Sequence, residues 1–159
     1  MIPQIDYTGW KFFADVVKEY KEDGYYLYDY GHHEIDVDKI IALSYDGVLN
    51  KEKLERLNDS IKQNGYIYKG FQDINLYKFP DGFYSVCHGG NHRPYLAKQL
   101  GIKRIMAQYS ILIPKTLLSK KQIEICESLE IGDLTNEKLK KICIDVGLLP
   151  ITNIRINIR

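Results

Sequence analysis

"HGGNHRPYLAKQLG", residues 88–101, sets two glycines, a polar run, an arginine and a proline at a change of backbone type. The preceding FYSVC at 83–87 reads as a strand. The spacing predicts that strand, a glycine loop over 88–91 and a helix over about 93–100. Glycine permits positive φ and close approach of another group to the backbone. Pro94 suits a first helical turn, where its missing N–H costs little, and Gly101 suits the other end. The free N–H groups of such a turn, with the helix dipole, favour an anion. Arg93 adds a permanent charge with a fork that matches phosphate. His92 and Asn91 add further hydrogen-bonding groups. The pattern is neither a P-loop nor GxGxxG. A second reading therefore stays open: a tight connection whose glycines only turn the chain.

The flanks extend the pattern. KRIMAQYSILI at 103–113 alternates Ile105, Ala107, Tyr109, Ile111 and Ile113, which predicts a strand. DINLYKF and FYSVC flank Pro80-Asp81-Gly82, which predicts a hairpin. Upstream, Asn50 is placed to cap a helix with Leu54, Leu57 and Ile61 on its apolar face. Leu49 and Leu54 occupy staple positions, and Gly65 marks the end. EIDVDKIIAL at 34–43 reads as a strand, and YYLYDYG at 25–31 as another, interrupted by Gly31 and His32-His33. Thr8 is placed to cap a first helix over about 10–20, with Phe13, Val16, Val17 and Tyr20 on one face. Beyond Pro114, Ser119 and Gln122 have the form of a capping box, opening a helix to about Glu130. Leu139, Ile142, Cys143 and Val146 mark another helix, ended by Gly147 and Pro150. The tail ITNIRINIR at 151–159 alternates and reads as a strand.

The expected fold is α+β: a small mixed sheet flanked by helices. An N-terminal helix and a C-terminal helical extension are added. Residues 1–159 are read as one domain, with a core over 35–113 and the extension over 114–159.

The chain has 159 residues, 45% hydrophobic and 27% charged, with a formal net charge of +1. That balance is globular, not disordered. No global field calls for nucleic acid or an anionic membrane. Cys87, Cys126 and Cys143 are scattered without a CxxC, which reads as reduced thiols. No apolar run reaches the length of a membrane span. MIPQIDYTGW lacks the layout of a signal peptide, so a cytoplasmic protein without a membrane partner is expected. Of the 13 tyrosines, six lie in EDGYYLYDYGHH and NGYIYKGF. They are expected to pack their rings inward and keep their hydroxyls wet.

DGFYSVCHGGNHRPYLAKQLGIKRIMAQ resembles the core motif of the ParB/sulfiredoxin-like superfamily, whose ParB branch carries it in an N-terminal nucleotide-binding domain. The matching residues are Asp81, Gly82, Tyr84, Val86, Gly89, Gly90, His92, Arg93, Ala97, Leu100, Gly101, Ile105 and Ala107. Ser60, Ile61 and Gly65 fit the helix that precedes the motif in that family. The resemblance covers about residues 35–113. It implies that Gly89, Gly90, Asn91, His92 and Arg93 bind the phosphates of a nucleoside di- or triphosphate with magnesium. A nucleotide phosphohydrolase or a kinase-like phosphotransferase is the enzymatic form of that expectation.

Departures from the family narrow it. GGNHR stands where sulfiredoxins carry GGCHR, so Asn91 occupies the position of the catalytic cysteine. An amide is no thiolate nucleophile, and sulfiredoxin activity is not expected. Chromosome-partition ParB proteins carry GERR here and ENLQR after the next strand, where this chain reads YSILIPKTLLS. Free-serine kinases carry a GHTR-like loop, which GNHR approaches. The alternative function is a non-catalytic DNA- or protein-binding regulatory module, or a metal-dependent nuclease.

Other candidates are weaker patterns. His32, His33, His88 and His92 invite a metal reading, but adjacent histidines often point apart, and no dedicated metal site is expected. Asp36, Asp38, Asp46, Glu52 and Glu55 are candidate acids for holding magnesium or acting as a general base. Asp46 is the first choice, in a loop with Gly47; with His92 it forms the catalytic expectation. Lys103, Arg104, Arg155 and Arg159 are candidate contacts for DNA phosphates.

Overall fold

The structure is a computed structural model that describes residues 4–65, 74–129 and 137–151. In chain order it runs β1 (Lys11–Phe12), α1 (Phe13–Lys21), β2 (Tyr25–Asp36), β3 (Ile40–Leu43), α2 (Lys51–Asn64) and β4 (Asn75–Lys78). Then follow β5 (Tyr84–Val86), α3 (His92–Gln99), β6 (Arg104–Pro114), α4 (Lys120–Glu127) and α5 (Glu137–Asp145). The six strands form one mixed sheet in the order β1-β3-β5-β4-β6-β2. Among the described residues no helix is long and apolar enough to cross a membrane.

The longest pairing joins β2 and β6, antiparallel from Tyr25↔Pro114 to Asp36↔Arg104. The register shifts between Asp29 and Gly31. Gly31 has φ +92°, and its N–H donates to Asp29 Oδ1 at 3.0 Å. One extra residue there inverts the face that odd and even positions occupy. Tyr28 before the bulge and Ile35 after it therefore both face the core. The sequence-level interruption at Gly31 is a bulge inside one strand, not an end.

EIDVDKIIAL is two strands, not one. Asp36 Oδ1 accepts the Asp38 N–H at 3.0 Å, and residues Val37–Lys39 form a 3-10 turn. A short aspartate whose side chain competes for the backbone breaks the alternation. Thr8 is likewise not a helix cap. Lys11 and Phe12 pair in parallel with Ala42 and Leu43, so α1 starts only after β1. The hairpin stands as expected, with β4 antiparallel to β5 and Gly82 at φ +90° in the turn. Asn50 caps α2, and Ser119 with Gln122 closes a reciprocal capping box on α4. The tail strand expected to 159 lies outside the described residues.

One sheet face is covered by helices. Leu54 of α2, Tyr95, Leu96 and Ala97 of α3, and Leu139, Ile142 and Cys143 of α5 join Tyr28, Leu76, Tyr109 and Ile111 in one cluster. Tyr84 and Tyr109 meet edge to face at 5.1 Å in the core, whereas Tyr45 is exposed and Tyr66 and Tyr68 lie outside the described residues. On the other face α1 packs Val17 over Phe79 and Leu112, with Phe13, Val16, Tyr20, Leu27 and Tyr77 around them. Side chains alternate across the sheet, so Asn75, Tyr77 and Phe79 share this second face.

Candidate functional site

The glycine loop lies between the end of β5 and the start of α3, and a second loop, residues 44–50, is fastened to it at both ends. At one end the Ser44 N–H donates to Asn91 Oδ1 at 2.7 Å. Asn91 Nδ2 donates to Ser44 Oγ at 3.1 Å and to the His88 carbonyl at 3.2 Å. The Ser44 hydroxyl also donates to that carbonyl. At the other end the Asn50 N–H donates to His92 Nε2 at 2.8 Å, while Asn50 Oδ1 accepts the Lys53 N–H at 3.0 Å. One residue therefore caps α2 with its side chain and ties α3 to it with its backbone.

The N-terminal segment closes over the same elements. Tyr7 Oη accepts the Leu49 N–H at 2.9 Å. Tyr95 Oη accepts the Asp6 N–H at 3.0 Å and a Gln99 Nε2 hydrogen at 2.7 Å. Trp10 lies beside the Tyr95 ring, and Lys98 Nζ sits 4.5 Å from the Trp10 ring centre.

These contacts give the expected site residues distinct roles. Asn91 is 3% exposed, and both ends of its side-chain amide are engaged within the chain. It precedes α3 without a side-chain cap bond, because its amide is turned to Ser44 and His88. Its side-chain amide holds the loop to Ser44 and His88. His92 Nε2 accepts a hydrogen bond, so the neutral ring carries its proton on Nδ1. Burial first, and Lys53 second, hold its pKa below the ordinary histidine value. Nδ1–H is the donor that remains to it. Arg93 follows, half-buried, as the second residue of α3. Asp46 is exposed in the 44–50 loop beside Gly47 at φ +81°.

The two glycines differ. Gly90 has φ +87°, a conformation other residues rarely adopt. Gly89 has no positive φ, and a Cβ built there would meet nothing within 4 Å. Neither backbone nor packing in this chain requires a glycine at 89. The space above it is open to an incoming group.

The remaining candidates are dispersed. The His33 ring stacks on Tyr30 at 4.1 Å, and its Nε2 hydrogen-bonds the Tyr30 carbonyl at 3.0 Å. Among the described residues no three His, Cys, Asp or Glu side chains gather as a metal-binding group. Arg104 Nε pairs with Glu34 Oε1 at 3.0 Å. Arg155 and Arg159 lie outside the described residues. Burial pushes the Cys87 thiol up to about 11, so it is protonated at neutral pH. Ser44 and Tyr7 went unnamed in the sequence reading, and Asn50 was read only as a helix cap. The polar loop SYDG at 44–47 is the only local signal for Ser44, and it says nothing of partners in residues 88–92.

The strand–loop–helix–strand order of the resembled motif is present as β5, the glycine loop, α3 and β6. No family model matches the sequence, and no curated protein matches it. Among solved structures it is similar to sulfiredoxin from Arabidopsis thaliana, at 20% identity and a TM-score of 0.37, over 62% of this chain and 98% of that one. It is also similar to the C-terminally truncated chromosome-partitioning protein ParB from Caulobacter crescentus complexed with CTP-gamma-S. That match has 22% identity and a TM-score of 0.40, and spans 72% of this chain and 63% of the ParB chain.

Proposed function

We propose that the chain binds a nucleoside di- or triphosphate, with its phosphates against Gly89, Gly90 and the first turn of α3. The observation that carries this reading is Gly89, a glycine that neither the backbone nor the packing of the chain explains. A helix start supplies N–H groups and a dipole that favour an anion, and Arg93 supplies fixed charge. His92 offers Nδ1–H to a phosphate oxygen. The Asn91–Ser44–His88 network holds the loop in shape before any ligand arrives, which lowers the ordering cost of binding. Magnesium travels on the phosphates and needs only one or two carboxylates, for which Asp46 is the candidate. Alternatively, Asp46 would act as the base in hydrolysis or phosphoryl transfer at this loop. Residues 1–159 act as one domain in this reading, in the cytoplasm.

Calorimetry with nucleoside di- and triphosphates and magnesium tests it. The wild type should bind at least one. Hydrogen bonds to charged groups are worth about 1.5–3 kcal/mol, so Arg93→Ala should weaken affinity roughly 10- to 150-fold. Arg104→Ala, whose guanidinium pairs with Glu34 beyond α3, should bind as the wild type does. Absence of nucleotide binding, or an unaffected Arg93→Ala, returns the loop to a plain turn.

A further inference from the structure

Residues 5–12 reach two site elements before the chain enters the sheet, and local bonds shape them for that course. The Thr8 N–H donates to Asp6 Oδ1 at 2.8 Å, and the Trp10 N–H donates to the Tyr7 carbonyl at 2.9 Å. Gly9 takes φ +86° inside that turn. The segment puts Tyr7 on the 44–50 loop and Trp10 beside Tyr95 of α3.

Two contacts join it to the glycine-loop region. Tyr7 Oη accepts the N–H of Leu49, whose neighbour Asn50 gives its own N–H to His92. Tyr95 Oη accepts the Asp6 N–H, and Tyr95 lies in the same helical turn as His92 and Arg93. The segment thus bridges the 44–50 loop and α3, the elements fastened to each other around residues 88–92. Its own hold on the fold is light. β1 pairs two residues, Lys11 and Phe12, with β3. Ile5, Tyr7, Trp10 and Phe12 pack against the core, yet each is only partly buried. Segments with few fully buried side chains open at lower free energy than the core does.

We infer that residues 5–12 form a strap that keeps the 44–50 loop against the glycine loop, with Tyr7 as its positioning residue. Docked, the strap holds Leu49 and, through the next residue, the Asn50–His92 bond. Lifted, it releases the Leu49 N–H and Tyr95 Oη together, and the loop is left with its Ser44 anchor. A ligand that needs the fastened loop binds the strapped state better, and by linkage it favours the docked strap in return. That consequence for affinity rests on nucleotide binding at the glycine loop; the positioning itself does not.

Amide hydrogen exchange of the full chain, without nucleotide, tests the positioning. In the wild type the Asp6, Leu49 and Asn50 amides should share one opening, and it should be more frequent than that of the β2–β6 ladder. Tyr7→Phe keeps the ring and deletes the hydroxyl. It should raise that shared opening roughly two- to tenfold at all three amides, as expected for one neutral hydrogen bond. A contact without a positioning role would speed Leu49 alone. The second arm is calorimetry with ADP and ATP plus magnesium. Tyr7→Phe should weaken whichever nucleotide the wild type binds by a similar factor, and that nucleotide should slow exchange at Asp6. Should Tyr7→Phe fail to fold, the wild-type openings carry the test. Separate openings for Leu49 and Asn50, a Tyr7→Phe effect confined to Leu49, or full nucleotide affinity in the variant would overturn the strap. Absence of nucleotide binding by the wild type would instead remove the glycine-loop reading, and the exchange result would still decide the strap.

Discussion

The Asn91 side chain and the Ser44 backbone meet at 2.7 Å across 47 residues of sequence, and that bond fastens the glycine loop to the turn after β3. Removing the amide leaves the Ser44 N–H without its acceptor and the His88 carbonyl with one donor fewer. Asn91→Ala should lower unfolding free energy by about 1–3 kcal/mol, read as a lower urea midpoint. An unchanged midpoint would mean that water replaces the amide without loss.

Gly89 and Gly90 should separate on substitution. Gly89→Ala meets no atom and needs no special φ, so stability should stay level or rise by about 0.4–1 kcal/mol. Its nucleotide affinity should nevertheless fall, because the methyl group enters the space left for the ligand. Gly90→Ala forces φ +87° on an alanine and should destabilise by about 1–2 kcal/mol. Thermal melts and calorimetry on both variants give the comparison. Full affinity in Gly89→Ala would remove the ligand-based account of that glycine.

His92 should make stability depend on pH. Its folded pKa lies below the unfolded value of about 6.5, so the folded state favours the neutral ring. Between the two values the unfolded chain holds more protons, and stability rises with pH. The contribution is whole above pH 6.5 and is lost as pH falls through the folded pKa. His92→Gln should flatten that part of the curve in urea melts run from neutral to mildly acid pH. A wild-type curve already flat there would contradict the acceptor role of Nε2.

Sulfinic acid reduction should be absent. The position that resembles the family's nucleophile is Asn91, and the Cys87 thiol is held protonated by burial. Incubation with a sulfinylated peroxiredoxin, ATP and magnesium should leave the sulfinate intact. Reduction that depends on Cys87 would refute the assignment.

The strand–glycine loop–helix unit was legible because its signals are local. FYSVC, the glycine pair, Pro94 and Gly101 each act within one or two turns of chain. The α2 cap at Asn50 and the capping box at Ser119 were readable for the same reason. The errors came where a polar side chain overrode a repeating pattern. Asp36 turned an apparently continuous strand, and β1 took residues that helical periodicity had claimed. The bulge at Asp29–Gly31 inverted the strand's period, which reads locally as a break. Site partners were least legible. Ser44 with Asn91, and Asn50 with His92, are contacts between residues more than forty positions apart, and neither sequence stretch announces the other.

The β2–β6 pairing also has a consequence for the time course of folding. Tyr25 pairs with Pro114, so the most extended ladder in the sheet closes only after almost ninety residues of chain have been made. On a ribosome β2 would emerge early, with its run of tyrosines and leucine, and wait without its antiparallel partner. Contacts so distant in sequence slow folding, and an unpaired aromatic strand invites intermolecular pairing in the interval. Chains truncated and released within α3 should therefore aggregate or recruit chaperones more than chains released beyond α4, which carry β6.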